Sequence, residues 1–356
     1  MVAWDRDVLG RWGCHSEAAD RAAADSRGAG RGGRLGDGRF EPLPGMVGRS
    51  PAMQQLSRLV RRIAALRAPV LLLGESGSGK ELVARAVHCA SPRVAGPFVA
   101  LNGATLSLEL SGSELFGHRR GAFTGAHSDR AGAFRQARGG TLFIDEVAAL
   151  PLGVQARLLR AVEEGWVNPV GSDEPVAVDV RIVAATCEPL EQLIARRAFR
   201  PDLYQRLSSC VVRIPPLRER RSDIPALADH LLARSEVAPS ELGLGVAELL
   251  QAQPWPGNVR ELGNVLVQAG LRSESGRIEV ADVLGALSER AGARRCALRF
   301  GLEQARVLLG ETGGNVSEAA RRACVPRSTF RDLLRAAGSH HGRRGPNPDA
   351  EAADTV

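Results

Sequence analysis

One short run constrains this chain more than any other: an apolar stretch, Pro69-Val70-Leu71-Leu72-Leu73, then Gly74-Glu75-Ser76-Gly77-Ser78-Gly79-Lys80, then a helical pattern from Glu81. Strand, glycine loop and helix in that order are the setting of a phosphate-binding loop. Glycines let backbone N–H groups curl around phosphate oxygens, and the helix N-terminus adds partial positive charge. Lys80 is the only lysine; the other 46 of the 47 Lys and Arg residues are arginine. A slim ammonium reaches β and γ oxygens where a planar guanidinium is too wide.

At 356 residues the chain is long enough for two or three domains, and 44% apolar residues suffice for a sizeable core. No run of 18 apolar residues is present, so no membrane span is expected. The N-terminus lacks an apolar secretory core. Six cysteines (14, 89, 187, 210, 296 and 324) form no Cys-x-x-Cys pair, which fits scattered buried thiols in a reducing cytoplasm. The net charge of +7 is uneven: residues 286–345 hold 12 Arg against 5 acids. That excess points to an anionic partner, most simply nucleic acid, although an arginine-rich solvated face would look the same.

Residues 1–45, rich in Ala, Gly, Arg and Asp, have no core pattern. Apolar residues then recur at helical spacing over 53–66. Short buried strands are predicted at 70–73, 98–101, 141–144 and 180–184, and helices at 81–89, 153–164 and 190–195, which is an α/β pattern with a parallel sheet. After Pro215-Pro216 strands are expected to stop, and helices at 223–235, 246–253, 257–269 and 280–287 read as a lid. The expected divisions are an α/β domain over 46–216, a lid over 217–290, a linker over 291–300, a last helical unit over 301–338 and a tail over 339–356.

Leu142-Phe143-Ile144-Asp145-Glu146 is a buried strand ending in acid, 65 positions beyond Lys80. Asp145 would hold Mg²⁺ and Glu146 would orient the attacking water. Two adjacent acids also suit a helix N-terminus; the glycine loop favours the catalytic reading. Glu81 stands where a general phosphate loop has Ser or Thr.

That departure, with Glu114-Leu115-Phe116-Gly117-His118-Arg119-Arg120-Gly121-Ala122-Phe123-Thr124-Gly125-Ala126, resembles the sigma-54-dependent transcriptional activators, a branch of the AAA+ ATPases. Read physically, the second stretch is a loop of small residues with one large ring, which must pack back or meet a partner. The resemblance implies that Gly121, Ala122, Phe123, Thr124, Gly125 and Ala126 engage sigma-54, with Phe123 and Thr124 foremost. It implies ATP as cofactor with Mg²⁺, bound by Gly74, Glu75, Ser76, Gly77, Ser78, Gly79, Lys80, Glu81, Thr186 and Arg260. Asn102 looks like the asparagine that pairs with and restrains Glu146. Phe199-Arg200-Pro201-Asp202-Leu203-Tyr204-Gln205-Arg206-Leu207 looks like the arginine-finger segment, so Arg200 and Arg206 would serve a neighbouring subunit's γ-phosphate. Trp255-Pro256-Gly257-Asn258-Val259-Arg260-Glu261-Leu262 resembles the sensor II motif, and could equally cap a lid helix. The sensor I region reads Ala184-Ala185-Thr186-Cys187, with cysteine, a poor donor, where the family has asparagine.

Near the C-terminus, Asn315 would cap a helix, Cys324-Val325-Pro326 would turn, and a second helix would begin after the proline. The pair resembles a Fis-type helix-turn-helix, with Arg327, Ser328, Thr329 and Arg331 on bases or phosphates and Arg321, Arg322 and Arg335 on the backbone. A hairpin serving only oligomerisation is the alternative.

The expected fold is therefore an α/β AAA+ P-loop parallel-sheet ATPase domain with a helical lid, plus a small all-α helix-turn-helix domain. The expected protein is a cytoplasmic, ATP-hydrolysing activator that binds upstream double-stranded DNA, forms a homo-oligomer (a hexameric ring in the family) and remodels the sigma-54 RNA polymerase holoenzyme. A passive DNA-binding regulator that keeps nucleotide only as a switch is the rival. The roughly 45 residues before the ATPase are too few for a phospho-receiver, so phosphorylation within the chain is not expected to control it.

Overall fold

The computed structural model describes residues 43–106, 110–235, 241–273, 276–299, 309–310, 312, 315–322 and 330–331. They fall into two units, one ending at Ile278 and one beginning at Glu279. The first runs α1 (Pro51–Ala64), β1 (Val70–Leu73), α2 (Lys80–Cys89), β2 (Phe98–Asn102), α3 (Ser111–Phe116), α4 (Ala133–Gln136), β3 (Thr141–Asp145), α5 (Leu152–Glu164), β4 (Trp166–Val167), β5 (Val176–Ala177), β6 (Arg181–Thr186), α6 (Leu190–Ala195), α7 (Pro201–Leu207) and β7 (Cys210–Arg213). It continues with α8 (Ile224–Leu232), β8 (Glu241–Leu242), α9 (Val246–Ala252), α10 (Asn258–Arg272) and β9 (Arg277–Ile278).

The central sheet has the order β2-β3-β6-β1-β7, and all its pairings are parallel. Alternating side chains divide its two faces, as the twofold period of a strand requires. Leu71, Leu142, Ile144, Ile182 and Ala184 join a core with Val154 and Leu158 of α5 and Leu203 and Leu207 of α7. Val70, Leu72, Phe143, Val183 and Ala185 join a second core with Met53, Leu56 and Val60 of α1 and Val83 and Val87 of α2. Helix α1 starts where Ser50 accepts the Met53 N–H, with Pro51 in the first turn. Its other end is closed by Arg181, only 2% exposed, whose guanidinium donates to Ala64 O and Ile63 O at 2.7 Å each.

Three expectations are corrected here. Strands do not stop after Pro216: β7 precedes it, but β8 and β9 form a short parallel pair within the lid segment. The expected linker is helical, because α11 (Val280–Arg299) in the second unit runs through it on alanine and arginine, both good helix formers. Nor are the cysteines simply buried: Cys187 is exposed, and Cys89 and Cys210 are half-buried.

In the second unit α12 (Val316–Arg322) begins as expected, with Asn315 Oδ1 accepting the Ser317 and Glu318 N–H groups at 3.1 Å. Ala319, Ala320 and Phe330 are buried and Arg331 is exposed. The backbone of Arg321 and Arg322 is helical. Arg327, Ser328, Thr329 and Arg335 lie outside the described residues.

Candidate active site

Strands β1, β3 and β6 run in parallel and end at one edge of the sheet, where open α/β sheets place their ligands. Beyond β1 the chain turns through Gly77 and Gly79, with φ of +73° and +102°, values that glycine adopts without strain. Gly74 N–H donates to Thr186 O of β6 at 3.3 Å, tying the loop to the next strand. Lys80 opens α2 and is 7% exposed. Its Nζ donates to Gly74 O at 3.2 Å and meets Glu146 Oε1 at 3.2 Å.

Asp145 ends β3, and its Oδ1 accepts the Glu146 N–H at 3.0 Å. Burial, then the charge of Glu146, pushes the Asp145 carboxyl above its ordinary range, while Lys80 pulls it down. Glu146 has φ +48°, a left-handed conformation uncommon for a long side chain. Its Oε2 accepts from Cys187, the backbone N–H at 3.2 Å and the thiol at 3.4 Å. Partial enclosure, then the charge of Glu146, pushes the Cys187 thiol up to about 11.

The loop fits a nucleotide's phosphates. Its turn is left-handed at two glycines, it leads into a helix N-terminus, and the Ser78 hydroxyl is buried in it without a hydrogen-bond partner. A magnesium ion also fits, since it takes one or two carboxylates and completes its shell with phosphate and water. Asp145, within reach of the Lys80 charge, would be the carboxylate for it. No cluster of three or more His, Cys, Asp or Glu exists among the described residues.

The lid segment reaches the same loop. Arg260 Nη1 donates to Ser76 Oγ at 3.1 Å and Val259 N–H to Gly77 O at 3.1 Å. Arg218 forks onto Glu75 at 2.8 Å from each terminal nitrogen. Thr186 is buried and its Oγ1 accepts the Glu188 N–H, so it caps its own turn.

Other predicted residues are not brought to this centre. Asn102 Oδ1 accepts the Ala104 N–H at 2.9 Å, and no hydrogen bond joins it to Glu146; Cys187 holds that carboxylate instead. Glu81 is exposed and pairs with Arg85 one turn on. Arg200 forks onto Asp202 at 3.0 and 2.6 Å, and Arg206 is exposed. Neither pairs with Lys80, Asp145 or Glu146 among the described residues. Position 187 was visible in the sequence only as a departure from a pattern.

The loop from Gly121 to Ala126 closes on itself through Gly121 N–H to Ala126 O at 2.8 Å and Ala126 N–H to Phe123 O at 3.0 Å. Phe123 packs back, edge-on against His118 with ring centres 5.0 Å apart. His118 is held by Ser113 at 2.6 Å. Thr124 and Gly125 are exposed. A second segment supports the loop, since a Cβ on Gly171 would stand 2.6 Å from Ala122 Cβ.

Residues 46–213 match the Sigma-54 interaction domain family, and residues 218–296 match the AAA+ ATPase lid domain family. The chain is 47% identical over 256 residues to the DNA-binding transcriptional regulator NtrC of Escherichia coli K12, covering 70% of this chain and 54% of that protein. It is 42% identical over 313 residues to the C4-dicarboxylate transport transcriptional regulatory protein DctD of Pseudomonas aeruginosa, covering 85% and 66%. The crystal structure of NtrX from Brucella abortus in complex with ATP is 32% identical, with a TM-score of 0.63, covering 90% of this chain and 72% of that one. The chain spans about half the length of the first of these curated relatives. With both halves of the ATPase fold matched and Lys80 and Glu146 meeting at the sheet edge, the chain belongs to the sigma-54-dependent activator family.

Proposed function

We propose that the chain hydrolyses ATP and uses the energy to remodel a closed promoter complex of sigma-54 RNA polymerase into an open one. The observation that carries this reading is the meeting of Lys80 and Glu146 at 3.2 Å, on a chain that also presents Thr124 to solvent. Lys80 and the loop N–H groups hold the β and γ phosphates, and Arg260 approaches from the lid segment. Asp145 would hold Mg²⁺, and that ion would supply charge neutralisation for the phosphate oxygens. Glu146 orients and polarises the attacking water once its carboxylate leaves Lys80 to the phosphate.

Arg200 and Arg206 serve a neighbouring copy's site, so the chain works as a ring, a hexamer as in the family. The pairing of Arg200 with Asp202 supports a fingertip held ready on one chain for another. Residues 121–126 press on sigma-54, and the C-terminal unit binds upstream double-stranded DNA in the cytoplasm. No helix among the described residues is long and apolar enough to cross a membrane.

The test is ATP turnover against protein concentration. A rate per chain that rises with concentration supports shared sites; a silent chain that still shifts DNA favours a passive regulator.

A further inference from the structure

Asn258 has no assigned role in this reading, yet it is 0% exposed and ties three segments together. Its Oδ1 accepts the Leu217 N–H at 2.7 Å. That donor fixes which end of the amide is oxygen. Its Nδ2 then donates to Glu75 Oε2 at 3.1 Å and to Ser76 O at 3.1 Å. One side chain so joins the phosphate loop, the segment after the central sheet and the first turn of α10.

The backbone is shaped for this contact. Asn258 has φ +53°, a conformation asparagine tolerates better than other side chains except glycine. Trp255, three residues earlier, has φ +44° and is anchored by its indole N–H on Leu250 O at 2.6 Å. The Gly257 N–H is held by Glu261 Oε2 at 2.6 Å. The turn is therefore fixed from both ends, and the amide is aimed into the gap. The fit is close: a Cβ on Gly77 would stand 2.4 Å from Gly257 O.

Resting on the nucleotide reading above, we infer that Asn258 is a positioning residue for the phosphate loop: its amide, through Glu75 and Ser76, holds the loop in its phosphate-binding shape and links that shape to the lid through Leu217. Glu75 is the second half of the device. Its carboxylate takes the Asn258 amide and the Arg218 fork together, so the loop is gripped at two adjacent residues. A buried amide whose donor and acceptor ends are both used resists replacement, because any change leaves one buried partner unsatisfied.

Asn258→Asp discriminates between positioning and mere packing. It keeps the acceptor for Leu217, but turns a second carboxylate oxygen towards Ser76 O and Glu75. Isothermal titration of the full chain with MgADP, beside thermal unfolding, reads the effect. The expected result is affinity roughly tenfold weaker or more in a chain that still unfolds cooperatively, at a lower melting temperature because two carboxylates then face each other in a buried site. Combining Asn258→Asp with Glu75→Gln lets a new amide donate to the new carboxylate, and should recover most of the lost affinity. If Asn258→Asp does not fold, Asn258→Gly removes the amide while relieving the left-handed backbone, and should weaken binding similarly. Wild-type affinity in a folded single variant overturns the inference, as does a double variant binding no better than Asn258→Asp. A wild-type chain that takes up no MgADP overturns the nucleotide reading itself, which is a separate result.

Discussion

Glu146 Oε1 lies 3.2 Å from Lys80 Nζ, so the residue expected to activate water rests on the residue expected to bind phosphate. A γ-phosphate and this carboxylate compete for one ammonium. Binding of triphosphate should therefore release Glu146, and mutation should separate the two roles. Lys80→Ala should abolish nucleotide binding. Glu146→Gln should keep it and lower turnover by about 10²–10⁴-fold. Titration with labelled nucleotide and steady-state phosphate release check the pair.

Cys187 holds the other oxygen of the same carboxylate. With its thiol near 11 against an ordinary 9.0, its thiolate fraction at pH 8 is about 100-fold below that of a free cysteine. Although exposed, it should alkylate slowly, with a rate still climbing at pH 10. Glu146→Gln removes the negative charge and should speed the reaction. Peptide-resolved mass spectrometry after timed iodoacetamide treatment measures both.

The family-level parts of this architecture are legible in the sequence for physical reasons. Val70–Leu73 and Thr141–Asp145 are central strands of the sheet, and they read as the apolar runs Val70 to Leu73 and Leu142 to Ile144, the second ending in acid. Cys210–Arg213 is an edge strand of four residues whose short apolar run, Cys210 to Val212, leaves Val211 exposed and stops at Arg213. The β8–β9 pair has two residues per strand, too few for a period. The contacts of Cys187 and Asn258 arise between segments 41 and about 180 positions apart, so neither spacing nor composition records them. Asn102 shows the opposite failure: a matching motif position whose side chain caps its own turn.

Gly171 should be intolerant of any side chain for a reason unrelated to the nucleotide. Its φ is +78°, and a Cβ would stand 2.6 Å from Ala122 Cβ. The left-handed backbone alone costs a non-glycine residue about 1–2 kcal/mol. Gly171→Ala should displace the loop that carries Phe123 while leaving MgADP affinity within about twofold of wild type. Limited proteolysis between 119 and 127, run beside a nucleotide titration, separates the two effects.

Glu75 predicts a pH dependence. Its carboxyl is lowered, first by the hydrogen bond from Arg218 and then by that from Asn258. A depressed folded-state value means the contact stabilises fully above the ordinary 4.5 and is lost as pH falls through the lower folded value. Melting temperature measured from pH 7 to 3 should drop more steeply for wild type than for Glu75→Gln in that acid window.

The most direct test is promoter melting. The full chain, with MgATP, sigma-54 holoenzyme and a promoter carrying its upstream site, should make bases near the start site reactive to permanganate. Thr124→Ala should hydrolyse ATP at the wild-type rate and leave those bases unreactive. Wild-type protein that turns over ATP yet never melts the promoter, or a Thr124→Ala variant that melts it normally, contradicts the account.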